Sequence, residues 1–193
     1  MNPNQPRRLY CYVDETGQDT MGEFFIVSVV VSADDRDESV STLEKIERSS
    51  GKGKVKWMEA RHPARYEYIQ TVLATPRFKS TLFFSAYRNS KAYMALTVLS
   101  TAKAIIAAGP QHTTTTVYVD GLPKARLRWF GAELRRLSVR NSKVSGVRRE
   151  EADSLMCLAD AVAGFVRLAL SGKNSDAAAL FEKARKEGYL REA

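Results

Sequence analysis

Two short apolar runs of this chain close on the same tripeptide, Tyr12-Val13-Asp14 and Tyr118-Val119-Asp120. Each carries a carboxylate to the point where a strand gives way to a loop. Side chains alternate along a strand, so Tyr10, Tyr12 and Asp14 share one face of the first run, and Thr116, Tyr118 and Asp120 share one face of the second. If the runs are parallel neighbours, at the usual separation of about 4.8 Å, Asp14 and Asp120 stand side by side. Two ionised carboxylates that close repel unless one takes up a proton or a cation lies between them, which points to an acid pair or a divalent-metal site. The competing account is two strand ends with turn-forming aspartates, Asp120-Gly121 being an ordinary turn.

A third carboxylate comes from a helix predicted over 150–170. Its apolar stripe is Leu155, Leu158, Ala159, Val162, Val166 and Ala169, the spacing for packing on a sheet. Beside the stripe run Asp153, Cys157, Asp160 and Gly164. Asp153 and Asp160 point the same way but lie about 10.5 Å apart along the axis, too far for one ion. Asp160 sits in Leu158-Ala159-Asp160-Ala161-Val162, where an unpartnered carboxylate is expensive. Asp153 is the weaker metal candidate, because a first-turn acid is already favoured by the helix dipole. Asp14, Asp120 and Asp160 together suit one or two Mg²⁺ or Mn²⁺ ions with water and phosphate oxygens completing the shells, and such a site hydrolyses phosphodiesters. The structural alternative for Asp160 is a buried ion pair with Arg167 or an arginine of the basic segment.

The charge distribution agrees with a polyanionic partner. Residues 124–149 hold nine basic side chains (among them Lys124, Arg126, Arg128, Arg148 and Arg149) and one acid, Glu133, a net of +8 that equals the charge of the whole chain. Concentrated beside candidate carboxylates, these cations suit phosphates of RNA or DNA; a solvated helix face is the plainer account. Lys54 and Lys56, in or beside the basic stretch 49–54 and next to Trp57, are further phosphate-gripping candidates. An anchoring tryptophan beside a lysine-rich flexible loop accounts for them equally. His62 and His112 show no metal-ligand spacing, and phosphate-loop, nucleophile-elbow and dinucleotide patterns are absent.

The elements that must position these groups follow from the pattern. At 193 residues the expectation is a single domain with a core over about 9–170 and a helical extension near 175–188. Strands are predicted over 9–14, 24–31, 78–88, 116–120 and 144–149, the second being continuously apolar and therefore central. Helices are predicted over about 34–48, 63–74, 90–108, 124–137 and 150–170, with a weaker one over 176–186; 54–57 reads as a short extended piece. This order argues for an α/β sheet with a helical insertion between the second and third strands. A helix between the third and fourth strands permits the crossover that lays the two Asp-bearing strands parallel. Cys11 and Cys157 read as reduced core thiols. The first eight residues lack the apolar stretch of a secretory signal, and 24–31 is too short for a bilayer, so the expectation is a cytoplasmic protein without membrane contact.

Four of these motifs resemble a widespread bacterial family of unknown function. They are Tyr12-Val13-Asp14-Glu15-Thr16-Gly17, the Lys56-Trp57 pair, the strand ending at Asp120, and Leu158-Ala159-Asp160-Ala161-Val162-Ala163-Gly164. That family opens on aromatic-x-Asp-Glu-Ser-Gly, closes on a Gln-Leu-Ala-Asp helix, and is placed among ribonuclease H-like folds. Here Thr16 stands in place of the serine and Cys157 in place of the glutamine. The resemblance spans about 9–170 and implies a ribonuclease H-like α/β fold with a central mixed five-stranded sheet flanked by helices. It also implies metal-binding acids at Asp14, Asp120 and Asp160, with Glu15 as an accessory catalytic group, and hydrolysis leaving a 3′ hydroxyl and a 5′ phosphate. A nucleic-acid-binding or assembly module on the same fold, with its chemistry lost, is the other expectation.

Overall fold

The structure is a computed structural model that describes residues 8–109, 114–139, 142–148 and 153–193. Its centre is a six-stranded sheet built from β1 (Arg8–Thr16), β2 (Phe24–Ser32), β3 (Leu82–Arg88), β4 (Thr114–Asp120), β5 (Ser142–Val147) and β6 (Leu190–Glu192) in the order β5-β4-β1-β2-β3-β6. β2 runs antiparallel to both β1 and β3; β4 is parallel to β1, β5 to β4, and β6 to β3. This is the expected mixed α/β architecture with one strand more than the five implied. The sixth, Leu190-Arg191-Glu192, is too short to show a period of two. It forms because Leu190 is buried beneath α6 (Ser175–Lys186) while its backbone pairs with the edge of β3.

Helices cover both faces. On one face α3 (Tyr93–Ala108) and α4 (Lys124–Arg136) bury Val98, Ile105, Phe130 and Leu134 against Leu9, Cys11, Val13, Val117 and Val119. On the other, α1 (Arg36–Ser49), α2 (His62–Ala74), α5 (Ser154–Leu170) and α6 meet Tyr12, Ile26, Val30 and Phe84. All six residues of the stripe read from the sequence are buried in α5. Beyond its first residue β2 is buried throughout, as a strand covered on both faces must be. The helical insertion between β2 and β3 is α1 and α2 with the segment joining them.

Two local features decide how the chain reaches the carboxylates. Gly17 ends the Asp14-Glu15-Thr16 segment at φ 101°, and a Cβ there would lie 2.1 Å from the Phe24 carbonyl oxygen. Only glycine permits so close a return into β2. The second feature is the segment 51–60, which is a succession of turns and not the expected extended piece, for reasons that belong to the site. The expected helix start at Glu150 lies outside the described residues; the described part of α5 begins after its cap, Asp153. No single helix among the described residues is long and apolar enough to cross a membrane; α5 and α6 approach the criterion only as a pair bent by 116°.

Candidate active site

The parallel register of β1 and β4 pairs Tyr12 with Tyr118 and Val13 with Val119, so one step further Asp14 and Asp120 are cross-strand neighbours. The Tyr12 and Tyr118 rings below them stack at 5.1 Å. Asp160 arrives from above. Asp14 is paired in register with Ser28 of β2, and the Ser28 hydroxyl donates to the Ala159 carbonyl of α5. That bond fixes the depth at which the helix sits, and Asp160 is the next residue. Asp14, Asp120 and Asp160 line one pocket together with Lys54, Lys56, Met156 and Cys157.

Each aspartate gives one oxygen to a protein donor. Asp14 Oδ1 accepts from the Glu15 N–H at 2.8 Å, Asp120 Oδ2 meets Lys56 Nζ at 3.0 Å, and Asp160 Oδ2 accepts from the Trp57 N–H at 2.6 Å. Their other oxygens have no protein donor among the described residues, and Glu15 Oε2 is buried without a partner. Burial, the charges of Asp160, Asp120 and Glu15, and only one opposing backbone hydrogen bond push the Asp14 carboxyl far above the usual range. Burial and the neighbouring Asp120 push Glu15 up to about 7, and burial raises Asp160 as well. Burial works against the Lys56 ammonium, but its bond to Asp120 and the charges around it outweigh that and hold its pKa above normal.

A hard divalent cation suits this donor set: all oxygen, anionic, with unused lone pairs and mutual repulsion to relieve. Asp14, Asp120 and Asp160 would hold it, with Glu15 alongside. Among the described residues no three such side chains converge on a single ion position, and the cation present at Asp120 is the Lys56 ammonium.

Lys56 is delivered by a segment that is anchored, contrary to the flexible loop expected from Gly51-Lys52-Gly53-Lys54. The stripe Cys157, Asp160, Gly164 is its docking face. The Cys157 thiol approaches the Lys54 carbonyl at 3.7 Å, Asp160 takes the Trp57 amide, and the Trp57 indole lies against Gly164, where a Cβ would be 2.3 Å from its Cδ1. Trp57 is buried, with its ring edge-on to Phe165. From beneath, Lys52 is 2% exposed; its ammonium donates to the Val55 carbonyl at 2.7 Å and lies 4.8 Å above the Tyr68 ring. Glu47, equally buried, accepts from the Ser154 hydroxyl at 2.9 Å, and the Gly53 amide bonds the Glu47 backbone carbonyl. Lys52, Ser28 and Glu47 were not among the residues singled out in the sequence. A lysine between two glycines has the signature of solvated loop, and its burial depends on α1, α2 and α5 meeting around it.

Other candidates separate. Asp153 is the N-cap of α5, accepting from the Leu155 and Met156 amides at 3.0 and 3.1 Å and pairing with Arg36, so its structural role is the one seen. Arg167 binds Thr16 and Asp19, which removes it as a partner for Asp160. Lys54 is half-exposed and paired with Glu44. Lys124, Arg126 and Arg128 are exposed on α4, on the sheet face opposite α5; only the start of α4, just after Asp120, lies at the carboxylate end. Arg148 is exposed just beyond β5; Arg149 and His112 lie outside the described residues. His62 is exposed and stacks on Tyr66.

Comparison with known proteins gives no family model and no curated protein that matches this sequence. Solved structures do match. Ribonuclease H2 from Pyrococcus horikoshii superposes with a TM-score of 0.55 at 13% identity, over 93% of this chain and 76% of that one. Ribonuclease HII from Archaeoglobus fulgidus, solved in complex with PCNA, gives 0.52 at 14% identity, over 95% and 91%. The fold is ribonuclease H-like. At such identities the likeness is one of architecture, that of a mixed α/β sheet flanked by helices.

Two predictions follow from the site. A methyl group at Gly164 must push the Trp57 indole aside, and Lys52→Met removes the buried ammonium that holds the Val55 carbonyl. Gly164→Ala and Lys52→Met each cost about 1–3 kcal/mol in chemical denaturation, and both shift the emission of Trp57 towards the solvent-exposed wavelength. The second concerns pH. A carboxyl whose folded pKa is raised binds its proton more tightly folded than unfolded, so its contribution is present at low pH and is lost as pH rises. For Glu15 the window runs from 4.5 to about 7, with Asp14 and Asp160 acting in the same direction. In chelator the melting temperature therefore falls between about pH 5 and pH 7, and Asp14→Asn, which removes one of the repelling charges, is more stable than wild type at the upper end. A flat or rising profile in scanning calorimetry contradicts this.

Proposed function

We propose that the protein is a divalent-metal-dependent nuclease acting on phosphodiester bonds of RNA or DNA. The observation that carries the reading is the convergence of carboxylates from three separate elements on one pocket, on a fold of ribonuclease H type. Asp14, Asp120 and Asp160 are the proposed ligands of Mg²⁺ or Mn²⁺. When bound, such an ion supplies a water acidified for attack and charge stabilisation at the leaving oxygen.

The chain's own groups do the rest. Glu15, with its pKa near neutrality, takes or returns a proton beside Asp120. Lys56 exchanges its bond to Asp120 for a phosphate oxygen of the substrate, so the charge that balances Asp120 becomes the charge that grips the backbone. Trp57, held by its amide and its ring, keeps Lys56 within reach. Lys54, Lys124, Arg126, Arg128, Arg148 and Arg149 supply positive potential at longer range. The 193 residues act as one unit, and the proposed place of work is the cytoplasm.

The second reading is a nucleic-acid-binding or assembly module that has lost its chemistry. It draws on the same geometry, since Lys56 on Asp120 and the Trp57 amide on Asp160 give two of the acids structural partners. Labelled single-stranded, duplex and hybrid RNA and DNA incubated with Mg²⁺, Mn²⁺ or EDTA separate the two. The nuclease reading expects metal-dependent cutting by wild type, reduced more than about a hundredfold in Asp14→Asn and Asp120→Asn, beyond the cost of losing an outer-shell partner. Binding without cutting under every condition selects the module.

A further inference from the structure

β4 alternates in burial along its length. Thr115, Val117 and Val119 are buried beneath α3 and α4, while Thr116, Tyr118 and Asp120 on the other face are half-open. The registers of β1, β4 and β5 arrange that half-open face into three cross-strand rows. The first is Tyr10, Thr116 and Lys143; the second is Tyr12, Tyr118 and Ser145; the third is Asp14, Asp120 and Val147. Successive rows are two residues apart, about 6.6 Å along parallel strands, a step of the order that one nucleotide of an extended strand covers. The rows carry, in sequence, a cation, an aromatic ring and the carboxylates.

The middle row has a stack with an open end. Tyr12 is buried under α5, Tyr118 stacks on it, and the neighbour beyond Tyr118 is Ser145, whose side chain is too small to cover the ring. Among the described residues no third ring continues the stack. At the β1 end the Arg36 guanidinium stands over Tyr10 at 5.7 Å and Tyr12 at 6.0 Å. At the β5 end Lys143 is exposed and forms no ion pair among the described residues. The face therefore carries an exposed cation at its β5 edge and aromatic rings at its centre, with the third row of carboxylates at one end; at the β1 edge Arg36 is already balanced by Asp153 and Asp37.

We infer that this half of the sheet is a track for single-stranded nucleic acid, one base stacking on the outer face of Tyr118 while the phosphate on the side away from the carboxylates meets Lys143. The inference rests on the proposed nuclease reading for its choice of ligand, and names the form in which the ligand enters. A duplex keeps its bases stacked on one another and leaves nothing for Tyr118 to take up; an unpaired base has a free face, and aromatic stacking accepts any base.

The test is fluorescence anisotropy with labelled oligothymidylate and oligouridylate, and a duplex of equal length, in EDTA so that no cutting occurs. Tyr118→Ala is expected to weaken single-strand binding about tenfold, and Tyr118→Phe to bind as wild type does. Lys143→Gln lowers the slope of log affinity against log salt by about one. Tyr118→Ala also removes a packing partner of Tyr12, so Ser145→Glu, a surface change that sets a negative charge beside the open ring face, serves as the second variant and should weaken binding too. Unchanged single-strand affinity in Tyr118→Ala and Ser145→Glu overturns the track. So does a loss in Tyr118→Phe equal to that in Tyr118→Ala, an equal loss for duplex, or a wild type that binds no single strand. Tyr118-dependent binding by a protein that never cuts keeps the track and removes the nuclease; cutting that persists with Tyr118-independent binding does the reverse.

Discussion

The constraint on which this molecule is built is that carboxylates which repel one another must be held together by something other than their own attraction. Asp14, Asp120 and Asp160 come from β1, β4 and α5, and each is placed by backbone structure. Parallel pairing aligns the first two, and the Ser28 hydroxyl on the Ala159 carbonyl fixes the third. Burying them, and bringing them together, raises the proton affinity of Asp14, Glu15 and Asp160, an energetic burden that the surrounding core must offset. Natural folds tolerate such local instability chiefly at functional sites.

Two lysines moderate that repulsion, from opposite sides. Lys56 reaches over the pocket to Asp120, and Lys52 lies buried beneath the same segment, bonded to the Val55 carbonyl and close enough to lower the proton affinity of Asp160. The segment between them is closed down on α5 through Cys157, Asp160 and Gly164. One helix face therefore serves two purposes: it supplies a carboxylate to the pocket, and it seats the strap that carries the counter-charge. Asp160 belongs to both, with one oxygen on the Trp57 amide and the other without a protein donor among the described residues.

Much of this was legible in the sequence because it depends on periodicity. The alternation in 9–14 and 116–120 put Tyr12 with Asp14, and Tyr118 with Asp120, on a shared face. The apolar stripe of α5 identified Asp160 as a carboxylate in need of a partner, and the order of elements gave a mixed α/β sheet. What was not legible depends on meetings between distant segments. Lys52 is buried only because α1, α2 and α5 close around it, and Trp57 finds Asp160 across 103 residues. β6 has three residues and no pattern, and Asp153, on the same helical line as Asp160, ends as a cap because the helix begins one residue later. The basic segment was visible as a charge excess, but α4 proves to sit on the face opposite α5, so its reach to the pocket is confined to its first turn.

The most direct test of the central claim is titration calorimetry of Mn²⁺ into the intact chain and into Asp14→Asn, Asp120→Asn, Asp160→Asn and Asp153→Ala. Binding by wild type that is lost in each of the first three and kept in Asp153→Ala is the result the account predicts. A wild type that takes up no Mn²⁺, or variants at Asp14 and Asp120 that bind as it does, would contradict it and leave the three aspartates as structural groups held by Glu15, Lys56 and Trp57.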